Sequence, residues 1–191
     1  MTELKNKVVW ITGASSGIGE ALVYAFAKQG AFIVLSARRV NELERVVKTA
    51  NLNSTNSLII PFNLTDTSKA LDYTNQIIQK FGRIDILINN GGQSQRAEVI
   101  HTTTEEERQL FEINYFSVTN LTKAVLPIFI KQGKGKVVVI SSIAGKFGFF
   151  LRSTYSAAKH ALHGYFESLR LENEKKGVSL LLVCPGKIKT S

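Results

Sequence analysis

Apolar and polar positions along this chain form blocks that suit strands and helices in turn. Short apolar runs bounded by glycine or polar residues predict strands, whereas longer blocks with apolar residues every three or four positions predict helices. The strands predicted in this way are 7–12, 32–36, 57–61, 84–89, 136–141 and 178–183. The predicted helices are 16–29, 40–50, 104–131 and 153–175. A further helix is predicted between the third and fourth strands, beginning within 65–68 and ending at 81.

The longest predicted helix, 104–131, carries two local signals. Thr104 and Glu107 have the spacing of a capping box, in which each side chain satisfies a backbone N–H of the first turn. Pro127 lies near the other end and predicts a kink, because proline removes one helical hydrogen bond.

The order of these elements predicts an α/β fold. Strands that are apolar on both faces and separated by helices indicate a parallel sheet covered on two sides. Because crossovers between parallel strands are right-handed, we expect a Rossmann-like doubly wound sheet of six strands with helices on both faces. The chain has 191 residues, 44% of them hydrophobic, without a repeat or a linker. A single domain across 1–191 is therefore expected.

Composition and charge narrow the class of partner. The formal net charge is +9, which attracts phosphate groups, but the basic residues are scattered. This scatter argues against nucleic acid and is best interpreted as a generally basic solvated surface, although a small phosphorylated cofactor needs only a local cluster. No apolar run is long enough to cross a bilayer, and the first residues lead into a strand, so we expect no membrane span and a cytoplasmic location. The single cysteine, Cys184, excludes an intramolecular disulfide and is expected to be buried; no metal site is predicted.

A glycine-rich turn, Thr-Gly-Ala-Ser-Ser-Gly-Ile-Gly at 12–19, joins the first predicted strand to the first helix. Glycines allow the backbone to approach a ligand closely, and the N–H groups at a helix N-terminus suit a pyrophosphate. A turn that only connects strand to helix is the alternative. The strand–turn–helix context favours dinucleotide binding.

The end of the second predicted strand, Leu-Ser-Ala-Arg-Arg at 35–39, contains no acidic residue. NAD sites commonly place an acid here for the ribose 2′-hydroxyl, whereas arginine can hold a 2′-phosphate. We therefore expect NADP(H) to be preferred, with NAD(H) as the alternative cofactor. Arg38 is the first choice for the phosphate contact, with Ser36 and Arg39 as helpers. Alternatively, both arginines only cap the end of the strand.

Tyr155 and Lys159 are four residues apart at the start of the last predicted helix and so share one face. An isolated phenol ionises near pH 10, but a neighbouring positive charge favours its ionised form. Taken alone, the pair is more simply interpreted as an exposed tyrosine and a solvated lysine on a helix. The glycine-rich turn and the serines upstream of Tyr155 favour acid–base chemistry at a substrate oxygen instead.

Together these motifs resemble the classical short-chain dehydrogenases/reductases. The resemblance covers essentially the whole chain, because the family's motifs occur in order and at the expected spacing: TGASSGIG, NNGG at 89–92, Asn114, Ser142, YSAAK at 155–159 and the Pro185-Gly186 pair. The stretch NNGG followed by Gln-Ser-Gln-Arg further resembles the family's member-7-like branch.

The resemblance implies four catalytic roles in an enzyme that interconverts a small carbonyl and alcohol substrate. Tyr155 would exchange a proton with the substrate oxygen, and Ser142 would hydrogen-bond that oxygen. Lys159 would hold the nicotinamide ribose and act electrostatically on Tyr155. Asn114 would hold a water that links Lys159 to solvent; without the family, it reads as a buried, hydrogen-bonded asparagine.

The resemblance also implies the cofactor contacts. Residues of the glycine-rich turn would line the pyrophosphate: Gly13, Ser15, Ser16, Gly17, Ile18 and Gly19. Asn63 and Leu64 would lie at the adenine, although the family often has aspartate at 63, and Asn89 and Gly91 would border the adenine ribose. Pro185, Gly186 and Ile188 would lie near the nicotinamide, and Thr190 near its carboxamide or the phosphates.

Beyond residue 191 the family usually continues through a substrate-covering loop, a helix and a seventh strand. We expect that this chain is a fragment, or lacks a natural tail, and that alone it binds cofactor weakly and turns over poorly. In the family, the helices that match 104–131 and 153–175 pack against another subunit, which implies a homodimer or homotetramer. A catalytically weak or inactive nucleotide-binding regulatory or scaffold protein is the alternative function.

Overall fold

The structure, a computed structural model, describes residues 4–188 and contains one sheet of six parallel strands in the order β3-β2-β1-β4-β5-β6. The strands are β1 Val8–Thr12, β2 Phe32–Ser36, β3 Ser57–Ile59, β4 Ile86–Asn89, β5 Gly135–Ile140 and β6 Val178–Val183. The α-helices are α1 Gly17–Lys28, α2 Val40–Thr49, α3 Ala70–Phe81, α4 Thr104–Phe111, α5 Ser117–Gln132 and α6 Ser153–Asn173. The predicted fold class is confirmed.

Two apolar clusters form the core, one on each face of the sheet. Trp10 and Val34 lie in the cluster covered by α3, α5 and α6. Val9 and Ile33 lie in the opposite cluster, which α1 and α2 cover. Successive strand residues point to opposite faces, so burial on both sides explains why these strands are almost entirely apolar.

The strand order reverses between β1 and β4, which pair side by side although five elements of the chain separate them. In open α/β sheets, ligands bind outside the carboxyl ends of the strands at such a reversal. The carboxyl ends of β1, β2, β4 and β5 meet here, with Thr12 beside Ser36 and Asn89 beside Val139. This edge therefore positions the candidate site.

The predicted helix 104–131 is divided in the structure. A π-helical turn, Glu112–Phe116, separates α4 from α5. Pro127 lies inside α5, eleven residues after the division. The sequence predicted a kink at Pro127 but not this interruption. The π turn contains Asn114, and such turns are often found at functional sites.

The capping box at the start of α4 lies one residue earlier than predicted. The Thr103 hydroxyl accepts from the Glu106 backbone N–H at 3.2 Å, and the Glu106 carboxylate accepts from the Thr103 N–H at 2.8 Å. Thr104 and Glu107 have the same spacing in sequence but do not form the box. Glu107 instead accepts a hydrogen bond from the Thr154 hydroxyl at 3.0 Å and ties α4 to α6.

Several other boundaries differ from the prediction. α3 begins at Ala70 rather than within 65–68, since Asp66 and Ser68 form a hydrogen-bonded turn before it. Cys184 is partly exposed rather than buried, because it follows the last residue of the edge strand β6. Across residues 4–188, no helix combines the length and the apolar character needed to cross a membrane.

Candidate active site

The turn between β1 and α1 can form only with glycine at two positions. Gly13 has φ +64°, and a Cβ on it would lie 2.8 Å from the Gly91 Cα. A Cβ on Gly19 would lie 2.1 Å from the Gly13 carbonyl oxygen. Such distances are far inside van der Waals contact, so a side chain would force the turn apart. The turn is therefore packed against the start of the loop after β4.

This turn leaves the N-terminus of α1 available to a ligand. Ser16 occupies the N-cap position with an extended backbone, and its side chain makes no capping hydrogen bond. The first N–H groups of a helix need acceptors from outside the helix and carry a partial positive charge. A phosphate satisfies both requirements, so the pyrophosphate of a dinucleotide fits this end of the cleft.

A cleft of about 690 Å³ extends from this turn across the strand reversal. The sequence-predicted residues that line it are Gly13, Ser15, Ser16, Gly17, Ile18, Ser36, Arg38, Arg39, Asn63, Leu64 and Gly91. It also contains residues that the sequence reasoning missed: Thr12, Ala37, Phe62, Asn90, Gly92, Gln93 and Ile113. A volume of this size is in the range of small-molecule and cofactor sites.

The three residues predicted to hold a 2′-phosphate are placed differently from one another. Arg38 and Arg39 are exposed at the cleft and form no ion pair with any carboxylate of the described chain. Ser36 lines the cleft but is 1% exposed, and its hydroxyl accepts from the Trp10 indole N–H at 2.9 Å. The guanidinium groups of Arg38 and Arg39 are therefore more accessible to a phosphate than the Ser36 hydroxyl.

Several predicted cofactor residues lie outside the lining of this cleft. Asn89 is buried, and its amide nitrogen donates to the Thr122 hydroxyl of α5 at 3.1 Å. Gly19 supports the turn from within α1. Pro185 accepts from the Ile143 backbone N–H at 3.1 Å, which places the loop of Pro185, Gly186 and Ile188 beside the segment after β5. Thr190 lies outside the described residues.

Thr12 and Asn90 hold the two sides of the cleft together. The Thr12 hydroxyl accepts from the backbone N–H groups of Asn90 and Gly91 at 3.0 and 3.1 Å. The Asn90 amide donates to the carbonyl of Thr12 at 3.0 Å. Thr12 is the first residue of the glycine-rich turn, and Asn90 belongs to the NNGG stretch. Their contact was not predicted, because it joins positions 78 residues apart.

Lys159 is buried against the carboxyl end of β5. It is 4% exposed, and its ammonium donates to the Ile140 carbonyl at 2.9 Å. Burial lowers the pKa of Lys159 to about 8, since removal from water disfavours the charged form. The Lys159 amine is therefore mostly protonated at pH 7 and releases its proton around pH 8.

Tyr155 lies one helical turn before Lys159, with the Lys159 nitrogen 5.8 Å from the centre of its ring. The phenol is partly buried, and its hydroxyl makes no hydrogen bond to another residue of the 4–188 segment. The hydroxyl is therefore available to a ligand. The Lys159 ammonium lies on the same face of the helix, one turn further on.

Ser142 follows β5 and caps the short 3₁₀ turn Ile143–Gly145. Its oxygen accepts from the Ala144 N–H at 3.1 Å, which leaves the hydroxyl proton free to be donated. α6 packs against this turn, and the hydroxyl of Ser141 lies 3.1 Å from Nε2 of His163. The same helix thus positions Tyr155 and Lys159 near the segment that carries Ser142.

Asn114 is completely buried in the π turn. Its amide nitrogen donates to the carbonyls of Gln93 and Leu110, both at 2.9 Å, and its oxygen accepts from the Gln93 N–H at 3.2 Å. A Cβ on Gly92 would lie 2.8 Å from the Asn114 oxygen and 3.8 Å from the Lys159 nitrogen. Gly92 also lines the cleft, so the cleft ends beside Asn114 and Lys159.

Comparison with known proteins identifies the class to which this fold and site belong. The family profile described as short chain dehydrogenase matches residues 7–191. The human protein "Dehydrogenase/reductase SDR family member 7" is 46% identical over an alignment of 194 residues that covers 99% of this chain and 57% of the human protein. The Drosophila melanogaster "Dehydrogenase/reductase SDR family protein 7-like" is 40% identical over 98% of this chain and 59% of its own length. The chain therefore spans less than two thirds of the length of these relatives.

Solved structures agree with this assignment. A short-chain dehydrogenase from Streptomyces avermitilis matches with a TM-score of 0.92 at 35% identity, over 98% of this chain and 68% of its own. A short chain dehydrogenase/reductase from Burkholderia phymatum in complex with NAD matches with a TM-score of 0.93 at 25% identity, over 100% of this chain and 69% of its own. The chain belongs to the short-chain dehydrogenase/reductase family of oxidoreductases, which use a nicotinamide cofactor, and it is similar to the member-7 and member-7-like proteins.

Proposed function

We propose that the protein transfers a hydride between NADP(H) and a small carbonyl or alcohol substrate. One observation supports this most strongly. Tyr155, whose phenol has no partner among residues 4–188, lies beside the buried ammonium of Lys159. That ammonium adjoins Gly92, which lines the cleft that contains the phosphate-binding turn. A protein that only bound a nucleotide would not need the phenol and ammonium pair.

Three side chains of the protein have separate roles in the proposed reaction. Tyr155 donates a proton to the carbonyl oxygen during reduction and accepts one during oxidation. Ser142 donates its free hydroxyl proton to the same oxygen and fixes the orientation of the carbonyl. Lys159 stabilises the phenolate of Tyr155 electrostatically and holds the nicotinamide ribose. A bound nicotinamide supplies the hydride chemistry, and the protein supplies position and charge.

The cofactor preference rests on the charges at the end of β2. Arg38 and Arg39 are exposed at the cleft, and no acidic residue stands at 35–39 to repel a 2′-phosphate. A guanidinium holds such a phosphate through charge-assisted hydrogen bonds. We therefore infer that NADP(H) is preferred, and that reduction is the main direction because NADPH commonly serves as a reductant.

Substitution Arg38→Ala tests this preference in the full-length protein. A hydrogen bond to a charged group contributes about 1.5–3 kcal/mol, so kcat/KM for NADPH should fall by about 10- to 100-fold. The value for NADH should change little, because NADH lacks the phosphate. The measurement is steady-state kinetics with both cofactors on a panel of carbonyl substrates.

The matched control for that test is Arg170→Ala, an exposed arginine at the far end of α6. It should leave the NADPH-to-NADH ratio unchanged. An equal loss for both cofactors in Arg38→Ala would contradict a 2′-phosphate contact. Failure of the wild-type protein to oxidise NADPH with any carbonyl in the panel would favour a nucleotide-binding scaffold.

We also propose that the protein self-associates through α4, α5 and α6. A groove of about 610 Å³ lies between α4, the π turn that leads into α5, and α6. Phe116 of the π turn lines it and is 45% exposed. Ala157 of α6 and Phe111 of α4 complete an apolar strip in the groove. A second copy of the chain would bury this strip in a symmetric helix pair.

Substitution Phe116→Glu should convert the full-length oligomer to a monomer at micromolar concentration, because it places a charge in the apolar contact. Light scattering coupled to size exclusion measures the change. Leu71→Glu is the control, since Leu71 is 64% exposed on α3 and outside the groove. A monomeric wild-type protein, or an unchanged oligomer in Phe116→Glu, would contradict the proposed interface.

A further inference from the structure

The catalytic helix α6 receives its N-terminal cap from a distant loop. Residue Arg152, at the N-cap position, makes no side-chain capping bond. The side chain of Gln95 provides the missing acceptor: its amide oxygen accepts from the backbone N–H of Thr154 at 3.0 Å and of Tyr155 at 3.3 Å. These are the second and third helical residues, whose N–H groups a capping side chain ordinarily satisfies.

The Gln95 side chain is itself fixed on its other side. It is 8% exposed, and its amide nitrogen donates to the Thr102 hydroxyl at 2.8 Å. The Thr102 hydroxyl in turn donates to the Glu98 carbonyl at 2.9 Å. Both ends of the carboxamide are therefore satisfied, and its orientation follows from these partners.

Further contacts fasten the same loop to the start of α6. The Arg152 guanidinium hydrogen-bonds the Ser94 hydroxyl and the Gln95 carbonyl. The backbone N–H of Ala97 donates to the Leu151 carbonyl at 3.2 Å. The start of α6 is therefore held by backbone and side-chain contacts together.

The loop also reaches the cofactor cleft. Gln93 lines the cleft and shares two hydrogen bonds with the buried Asn114. Gln95 lies two residues further on and contacts the Tyr155 backbone. A segment of three residues thus links the wall of the cleft to the residue that carries the phenol.

We propose that Gln95 is a positioning residue that sets the place of Tyr155 relative to the cleft. This inference rests on the proposed hydride-transfer function. Loss of the cap leaves two N–H groups of the first turn without acceptors, so the turn that carries Tyr155 frays or shifts. Because a displacement of about 1 Å in a reacting group can cost about 100-fold in rate, the effect should appear in kcat.

Three variants of the full-length protein test the proposal. Gln95→Met keeps the length of the side chain and removes the acceptor, and kcat should fall by about 10- to 100-fold while KM for NADPH changes less than about threefold. Gln95→Glu retains an acceptor oxygen and places a negative charge at a helix N-terminus, which is favourable, so kcat should recover to within about threefold of wild type. Gln76→Met, an exposed glutamine of α3, is the control and should match wild type.

Amide hydrogen exchange of Thr154 and Tyr155 provides a readout that does not depend on turnover. Their exchange should be at least about tenfold faster in Gln95→Met than in wild type, because each lost acceptor opens the first turn. In Gln95→Glu the protection should return. If Gln95→Met is insoluble, Gln95→Asn, which is too short to reach both N–H groups, takes its place.

The outcomes separate this inference from the function on which it rests. An active wild type with unchanged kcat or unchanged exchange in Gln95→Met would overturn the positioning role. An equal loss of kcat in Gln95→Met and Gln95→Glu would also overturn it, since the acceptor would then be irrelevant. An inactive wild type with protected Thr154 and Tyr155 amides would instead refute the proposed function and leave the cap intact.

Discussion

Replacement of Tyr155 by phenylalanine is expected to lower kcat by about 10²- to 10⁴-fold, the usual contribution of a positioned general acid. The ring and its packing remain, and only the hydroxyl is lost. That hydroxyl has no hydrogen-bond partner in the described part of the chain. The variant should therefore fold normally and bind NADPH with a dissociation constant within about twofold of wild type.

Steady-state kinetics and fluorescence titration of NADPH on the full-length protein measure the two quantities. Tyr165→Phe is the matched control, because Tyr165 lies on the same helix and packs against Tyr115 away from the cleft. It should retain wild-type kcat. A Tyr155→Phe variant with the wild-type rate would remove the proposed proton donor.

Lys159→Met is expected to raise the free energy of unfolding while it removes catalytic activity. Burial depresses the pKa of Lys159 from 10.5 to about 8, which corresponds to a cost of about 3 kcal/mol for burying the charge. The substitution removes that cost and also the bond from the charged ammonium to the Ile140 carbonyl, which stabilises by about 1.5–3 kcal/mol. The cofactor-free variant should thus gain up to about 1.5 kcal/mol of unfolding free energy at pH 7 and lose nearly all turnover.

The stability that Lys159→Met gains over wild type should decrease as the pH rises. Below pH 8 the lysine is charged in both the folded and the unfolded protein, so the wild type bears the full cost of burial. Between pH 8 and 10.5 the folded protein releases its proton first, and the wild type becomes more stable. The advantage of Lys159→Met should therefore shrink as the pH rises from 7 to 10.

Urea unfolding at pH 7 and at pH 10 measures this difference. Lys134→Met, an exposed lysine before β5, is the control and should stay within about 0.5 kcal/mol of wild type at both values. A Lys159→Met variant less stable than wild type at pH 7 would show that the ammonium stabilises the fold.

The sheet could be predicted from local patterns because each strand is an apolar run bounded by polar residues or glycine. The capping box of α4 could not be placed from the sequence, since three threonines at 102–104 precede three glutamates at 105–107. Three neighbouring registers have the required spacing. Only the hydrogen bonds of Thr103 and Glu106 distinguish them.

The π turn at Glu112–Phe116 was missed for a similar reason. Its extra residue changes the rotation by a fraction of a turn, which the apolar pattern across 104–131 does not reveal. The burial of Asn89, in contrast, could have been inferred. Asn89 lies two residues after Leu87, and alternate residues of a strand face the same side. Leu87 packs with Leu121 of α5, the helix that Asn89 also contacts.

Other properties of the site depend on contacts between distant parts of the chain. The sequence places Lys159 beside Tyr155, but the burial that lowers the lysine pKa comes from β5 and the loop after β4. In the sequence, Gln95 stands out only as part of the stretch that resembles the member-7-like branch. No local pattern indicates its contact with Tyr155, because the two residues are 60 positions apart.

Transfer of isotope from cofactor to product tests the central claim most directly. The full-length protein, supplied with NADPH deuterated at the transferable position of nicotinamide C4, should place one deuterium on the carbinol carbon of the alcohol for each NADPH consumed. The same label in Tyr155→Phe should appear at a rate at least about 100-fold lower. Consumption of no NADPH, or an alcohol whose carbinol carbon carries no deuterium, would contradict hydride transfer at this site.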